Sequence, residues 1–156
     1  MASNEELISS VSAQISDGGR AALPAVLDGI LAHFDCVTGT VHLIGDDGML
    51  ELLAQRGIPD SILPMVSKIP IGKGMAGLAA ERREPVQVCN LQTDESGDVR
   101  PGAKDTKMEG SVAAPMFDSA GELVGTLGVA KPMAYDFTDG EMALLQELGT
   151  AIAAAV

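Results

Sequence analysis

Basic residues, cysteines and long apolar runs are all scarce in this chain, and each shortage removes a class of function. Ten Lys and Arg stand against 22 Asp and Glu, for a formal charge of -12. Phosphate binding needs a cationic face, so nucleic acid is excluded as a partner, and an anionic membrane surface is disfavoured on the same ground. No apolar run approaches the roughly 18 residues of a membrane span. The opening MASNEELISS has acids where a secretory signal carries positive charge, so the sequence reads as cytoplasmic. The two cysteines, Cys36 and Cys89, sit in apolar stretches with neither CxxC nor Cys-His spacing, which predicts two free, mostly buried thiols. The histidines His33 and His42 have no companion at metal-ligand spacing, so no metal is assigned; His42, inside a strand, reads as a satisfied core or edge residue.

What is present fits one domain with a proper core, at 156 residues and without repeats or low-complexity tracts. Residues 1–19 hold an amphipathic helix with Leu7, Ile8, Val11 and Ile15 on one face and Ser3 or Asn4 as its cap. A second helix follows with Leu23, Val26, Leu27, Ile30, Leu31 and Phe34, and Pro24 is tolerable in its first turn. Val37 to Ile44 and Met49 to Gln55 form a hairpin across Gly45-Asp46-Asp47-Gly48. Asp60 is placed to cap a short helix through Ile62 to Val66. A second hairpin joins Gly110 to Phe117 with Leu123 to Lys131 and is apolar enough to be covered on both faces. The closing helix opens with the capping box Thr138-x-x-Glu141.

The stretch Ile69 to Asn90, IPIGKGMAGLAAERREPVQVCN, organises the rest. A short strand enters a turn where Gly72, Gly74 and Gly77 permit positive φ and close approach; a small-residue helix follows until Pro85, then the alternating strand Val86-Gln87-Val88. A helix N-terminus behind such a turn exposes unpaired N–H groups, and Lys73 adds a positive charge, so an anion suits it. The long connection from Leu91 to Glu109 contributes Arg100, Lys104 and Lys107 as further cations, each with acidic neighbours in sequence to pair with instead.

That central stretch, with the later AAPMFDSAGELVGTLGVAKP and DFTDGEMALLQEL, resembles the GAF domain family from Leu23 to the C-terminus. The family's pattern is a G-x-G-x-x-G-x-A turn and helix, a P-V-x-V strand, a glycine-turned hairpin and a closing helix after F-T. The resemblance implies an α+β fold: a central antiparallel sheet of five to six strands, terminal helices on one face and a ligand pocket on the other. Residues 20–156 would form that domain. The implied site comprises Lys73, Gly74, Met75, Ala76, Gly77, Leu78, Arg100 and the strands around Val112 and Val129. A sensor or regulatory module that binds a small, anionic ligand is expected, and fold alone does not choose the ligand.

Relatives with chemistry fit less well. The free methionine-(R)-sulfoxide reductases of this family carry a cysteine in the Gly-rich turn and another after the P-V-x-V strand. Here Ala76 occupies the turn and the connection after the strand has no cysteine, so an enzyme is not expected. Cyclic-nucleotide binders resemble N-K-x-x-F-x-x-x-D-E, of which only Lys131 and Phe137 are kept; bilin binders attach through a Cys-His pair and use aromatics, of which there are one Tyr and three Phe. No cofactor is named. On the closing helix, Leu144, Ala151 and Ala154 widen the stripe Met142, Leu145, Leu148, Ile152 and Ala155 beyond what one sheet face needs. This predicts a homodimer through the terminal helices, or docking of a separate kinase or regulator, with a ligand-free dimerisation domain as the alternative function.

Overall fold

Ser3 caps the first helix, α1 (Asn4–Gly18): its hydroxyl accepts the Glu6 N–H at 3.1 Å, and the helix ends where Gly19 turns to φ 58°. The computed structural model describes residues 3–93 and 106–156. Leu7, Val11 and Ile15 recur every fourth residue, so they share the face that meets the core. A short 3-10 turn, Gly19–Ala22, leads into α2 (Leu23–Phe34), with Pro24 in the first turn, where its missing N–H is no loss.

Among the described residues six strands form one antiparallel sheet: β1 (Thr38–Ile44), β2 (Leu50–Arg56), β3 (Lys68–Ile69), β4 (Val86–Val88), β5 (Ser111–Phe117) and β6 (Leu123–Ala130), in the order β3-β2-β1-β6-β5-β4. The first hairpin turns at Gly48, φ 79°, with the Asp47 carboxylate accepting the Met49 N–H. Among the described residues two helices lie between strands, α3 (Leu63–Val66) and α4 (Gly74–Arg82), and α5 (Asp139–Ala153) follows the last strand. The Thr138–Glu141 capping box is present in both directions, and Tyr135 donates its hydroxyl to Glu141 at 2.7 Å.

The sheet has two unlike faces. On one, Val41, Leu43, Val112, Ala114, Met116, Leu127 and Val129 pack with Leu27, Ile30, Leu145, Leu148 and Ile152 as a single core. Helices α1, α2 and α5 form the layer over it. Gly149 brings α5 close, since a Cβ there would come 2.8 Å from Met116. The other face meets α4 and smaller clusters around Leu50, Ile69 and Ala80, and around Ala79, Val86 and Ala113.

Two expectations need correction, and a third is narrowed. Asp60 does not cap α3: Ile62 holds the cap position without a side-chain bond, and the Pro59 carbonyl accepts the Ile62 and Leu63 N–H groups instead. Cys89 is exposed, because β4 is an edge strand whose alternation turns Val86 and Val88 inward. Much of the apolar band at the chain ends is covered internally. Leu7, Val11, Ile15, Leu144, Leu145, Leu148 and Ile152 are all buried within one copy, because α1 covers what the sheet cannot. Of the same band, Ile8, Met142 and Ala151 stay half-buried and Ala154 and Ala155 exposed.

Candidate functional site

The glycine spacing of the central stretch is dictated by a turn that folds back on its own helix. Gly72 and Gly74 take φ of 92° and 66°, the Gly72 N–H donates to the Gly77 carbonyl at 2.8 Å, and the Lys73 N–H to that of Pro70 at 3.1 Å. A Cβ on Gly77 would lie 2.5 Å from the Pro70 oxygen. Lys73 occupies the N-cap of α4 without a side-chain cap, so the first-turn N–H groups at Gly74, Met75 and Ala76 receive nothing from it.

Those three residues border a cavity of about 150 Å³ on the sheet face opposite the helix layer. Thr38, Thr40 and His42 of β1, Ser111 and Ala113 of β5, and Gly128 and Ala130 of β6 form its floor at alternate strand positions. Met65, Met75, Met108, Ile58, Ile69 and Leu91 make the walls. The cavity exists because the floor is built from short side chains, with none at all at Gly128. Among the described residues no charged side chain, phenylalanine or tyrosine lines it.

Two polar side chains on this face of the sheet are almost fully buried, His42 in the floor and Thr126, which does not line the cavity. His42 is 1% exposed, and its Nε2 lies 2.8 Å from the Val66 carbonyl. A carbonyl only accepts, so Nε2 carries the proton and Nδ1 is a bare acceptor. Burial lowers the His42 pKa, outweighing the bond to Val66, so the ring is neutral. Nδ1 has no partner, and neither has the hydroxyl of Thr126, the residue directly opposite on β6. The expectation of a satisfied core histidine thus holds for one nitrogen and fails for the other.

Of the residues singled out from the sequence, Gly74, Met75 and Ala76 come together at the cavity; Lys73, exposed on the turn, and Gly77 and Leu78, further along α4, do not line it. Val112 and Val129 border it through the sheet, yet their side chains belong to the helix-covered core, at 1% and 2% exposed. Arg100 and Lys104 lie outside the described residues. Sequence reasoning missed Thr38, Thr40, His42, Ser111 and Gly128, although T-x-T-x-H in TGTVHLI already placed three polar groups on one face of a strand.

Neither cysteine touches the cavity. Cys36 is buried in the helix-side core, and desolvation pushes its thiol up to about 11 despite the nearby Lys131 charge. Lys131 itself is structural. Its ammonium donates to the Phe34 and Asp35 carbonyls at the end of α2 and lies 4.6 Å from the Tyr135 ring centre.

Sheet, helix layer and cavity together define an α+β domain of a known type. A GAF domain family profile matches residues 20–156, and the chain belongs to that family. Solved structures of the same fold include the GAF domain of a phosphoenolpyruvate-protein phosphotransferase from Coxiella burnetii, at 20% identity and TM-score 0.80, covering 97% of this chain and 91% of that one. A free methionine-R-sulfoxide reductase from Neisseria meningitidis in complex with its substrate is as similar, at 19% identity and TM-score 0.80, covering 98% and 90%. A protein described as a GAF sensor, from Burkholderia vietnamiensis, gives 20% identity and TM-score 0.74, covering 99% and 96%. No curated protein sequence matches the chain. No helix among the described residues is long and apolar enough to cross a membrane.

Proposed function

We propose that the chain is a non-enzymatic sensor or regulatory module that takes a small molecule into the cavity facing α4 and passes the change on through its helices. The observation that carries this reading is the cavity itself: apolar walls, a hydroxyl-bearing floor, uncapped N–H groups at one edge, and no thiol. Such concave, mostly apolar sites with a few polar groups are the usual form of a small-molecule pocket. An anion finds less support among the described residues than the sequence led us to expect, since Lys73 stands outside the cavity and the backbone N–H groups of α4 are the positive pole that borders it.

The output would leave through α1 and α5, which sit together across the sheet from the cavity, with α5 packed on β5 and β6. A homodimer or a separate regulator docking there remains part of this proposal as its downstream step, with sedimentation across micromolar concentrations as the direct check.

A reductase reading competes because one structural neighbour holds such a substrate. It requires a thiolate at the cavity, and here Cys36 is a buried, high-pKa thiol on the opposite face while Cys89 is exposed beside the edge strand. A thermal-shift and NMR screen of small apolar molecules, oxoanions, 2-oxo acids and nucleotides tests the sensor reading, with a parallel assay on free methionine-(R)-sulfoxide and a thiol reductant. Binding at cavity residues without turnover is expected. Turnover lost in Cys89→Ser, or no ligand at all, would overturn it.

A further inference from the structure

Three glycines interrupt the paired strands β1 and β6, and packing accounts for two of them. A Cβ on Gly39 would come 2.8 Å from the Leu31 side chain of α2, and one on Gly125 would strike the His42 carbonyl. Gly128 is different. Its φ is not positive, and the atoms nearest to a Cβ there are the Thr40 hydroxyl oxygen at 3.1 Å and the Val112 carbonyl oxygen at 3.7 Å. The first is the end of a rotatable side chain, so neither the backbone nor the packing demands glycine. Glycine weakens a strand interior and often marks the close approach of a ligand. Gly128 lies in the middle of the cavity floor, between Thr40 of β1 and Ala113 of β5.

We infer that the cavity selects small, uncharged, largely hydrocarbon molecules, and that Gly128 sets their size by leaving the middle of the floor without a side chain. Among the described residues no charged side chain lines the cavity, and a charge taken out of water without a partner is strongly disfavoured. Met65, Met75 and Met108 supply walls of flexible thioether chains, which adapt to irregular hydrocarbon shapes. An apolar cavity of about 150 Å³ holds a molecule of about six carbons, the size of benzene. This inference rests on the cavity being the ligand site, as proposed above, and adds the class of the ligand and the residue that limits its size.

The test uses three probes: 4-methylpentan-2-ol, which is small and uncharged, 4-methylpentanoate, its anionic counterpart, and 2,6-dimethylheptan-4-ol, uncharged but half as large again. Affinities come from methyl-shift titrations of wild type, Gly128→Ala and Met75→Ala. Wild type is expected to bind the small alcohol about tenfold more tightly than either other probe. Gly128→Ala should weaken the small alcohol by about tenfold, as one added methyl in an apolar pocket predicts, and should unfold at no lower temperature than wild type. Met75→Ala works in the other direction and should admit the larger alcohol. Tighter binding of the carboxylate would overturn the ligand class. Equal affinities of wild type and Gly128→Ala for the small alcohol, or a Gly128→Ala that unfolds earlier or fails to fold, would overturn the role of Gly128, and Met75→Ala then still decides the size limit. Equal binding of the two alcohols by wild type would overturn that limit. Each of these results leaves the cavity reading standing. Binding by none of the three would overturn this inference alone if the broader screen finds a ligand at the cavity, and both readings if it finds none.

Discussion

The same strands present two opposite surfaces, and the contrast explains where function can sit. Along β1, Val41 and Leu43 point to the helices and Thr38, Thr40 and His42 to the cavity; along β6, Leu127 and Val129 face one way and Thr126, Gly128 and Ala130 the other. The helix side fills its space with branched aliphatics, and α1, α2 and α5 close over them. The other side carries small or polar residues, and α4, rich in glycine and alanine, lies over only part of it. Packing favours stability on the first face; incomplete filling leaves room for a ligand on the second.

The largest test of that contrast substitutes one residue on each face, from the paired strands β6 and β1. Leu127→Ala removes a fully buried side chain from the helix-covered core and should cost about 3 kcal/mol of unfolding free energy. Thr40→Ala, on the cavity face, should change stability by less than about 1 kcal/mol in the same denaturant titration. Equal losses would mean that both faces are packed alike.

Lys131→Met addresses the seam between the helix layer and the end of β6. Removing the ammonium leaves the Phe34 and Asp35 carbonyls at the end of α2 without their donor. A loss of about 2 kcal/mol is expected, with ligand binding unaffected, because Lys131 touches no part of the cavity.

A smaller effect separates the faces by pH. The folded protein holds His42 below its ordinary value of 6.5, so the unfolded chain binds the extra proton more readily. Stability is then complete above pH 6.5 and falls as pH drops below it. Glu141 adds to this only at more acid pH: burial alone would raise its pKa, but bonds from Thr138 and Tyr135 and the charge of Lys131 hold it below the usual 4.5. His42→Gln, which keeps a donor for Val66, should flatten the first part of the thermal-denaturation profile and leave the second. An unchanged profile would mean that His42 is solvated.

Much of the fold was legible because its signals are local. The Thr138 capping box, the Asp-Gly and Asp118-to-Gly121 hairpins, Pro24 in a first turn and the fourfold spacing of Leu7, Val11 and Ile15 each follow from nearest-neighbour chemistry. The cavity was less legible. Its turn could be found from Gly72, Gly74 and Gly77, but its floor depends on strand order, which brings β1 and β6 together from positions almost ninety residues apart, Thr40 opposite Gly128. Val112 and Val129 were selected for being apolar in the right strands, and parity placed them on the packed side. The width of the stripe on α5 could not be apportioned either, since how much of it α1 covers is a tertiary matter.

The central claim is that alternate residues of β1, β5 and β6 separate a ligand cavity from a filled core. A methyl-resolved titration of the labelled protein with 4-methylpentan-2-ol tests it most directly. Shifts at the methyl groups of Thr40, Ala113, Ala130, Met75 and Met108, with Val41, Leu127 and Val129 still, are what the two-faced sheet predicts. Shifts led by Val41, Leu127 and Val129, or none in either set, would contradict it.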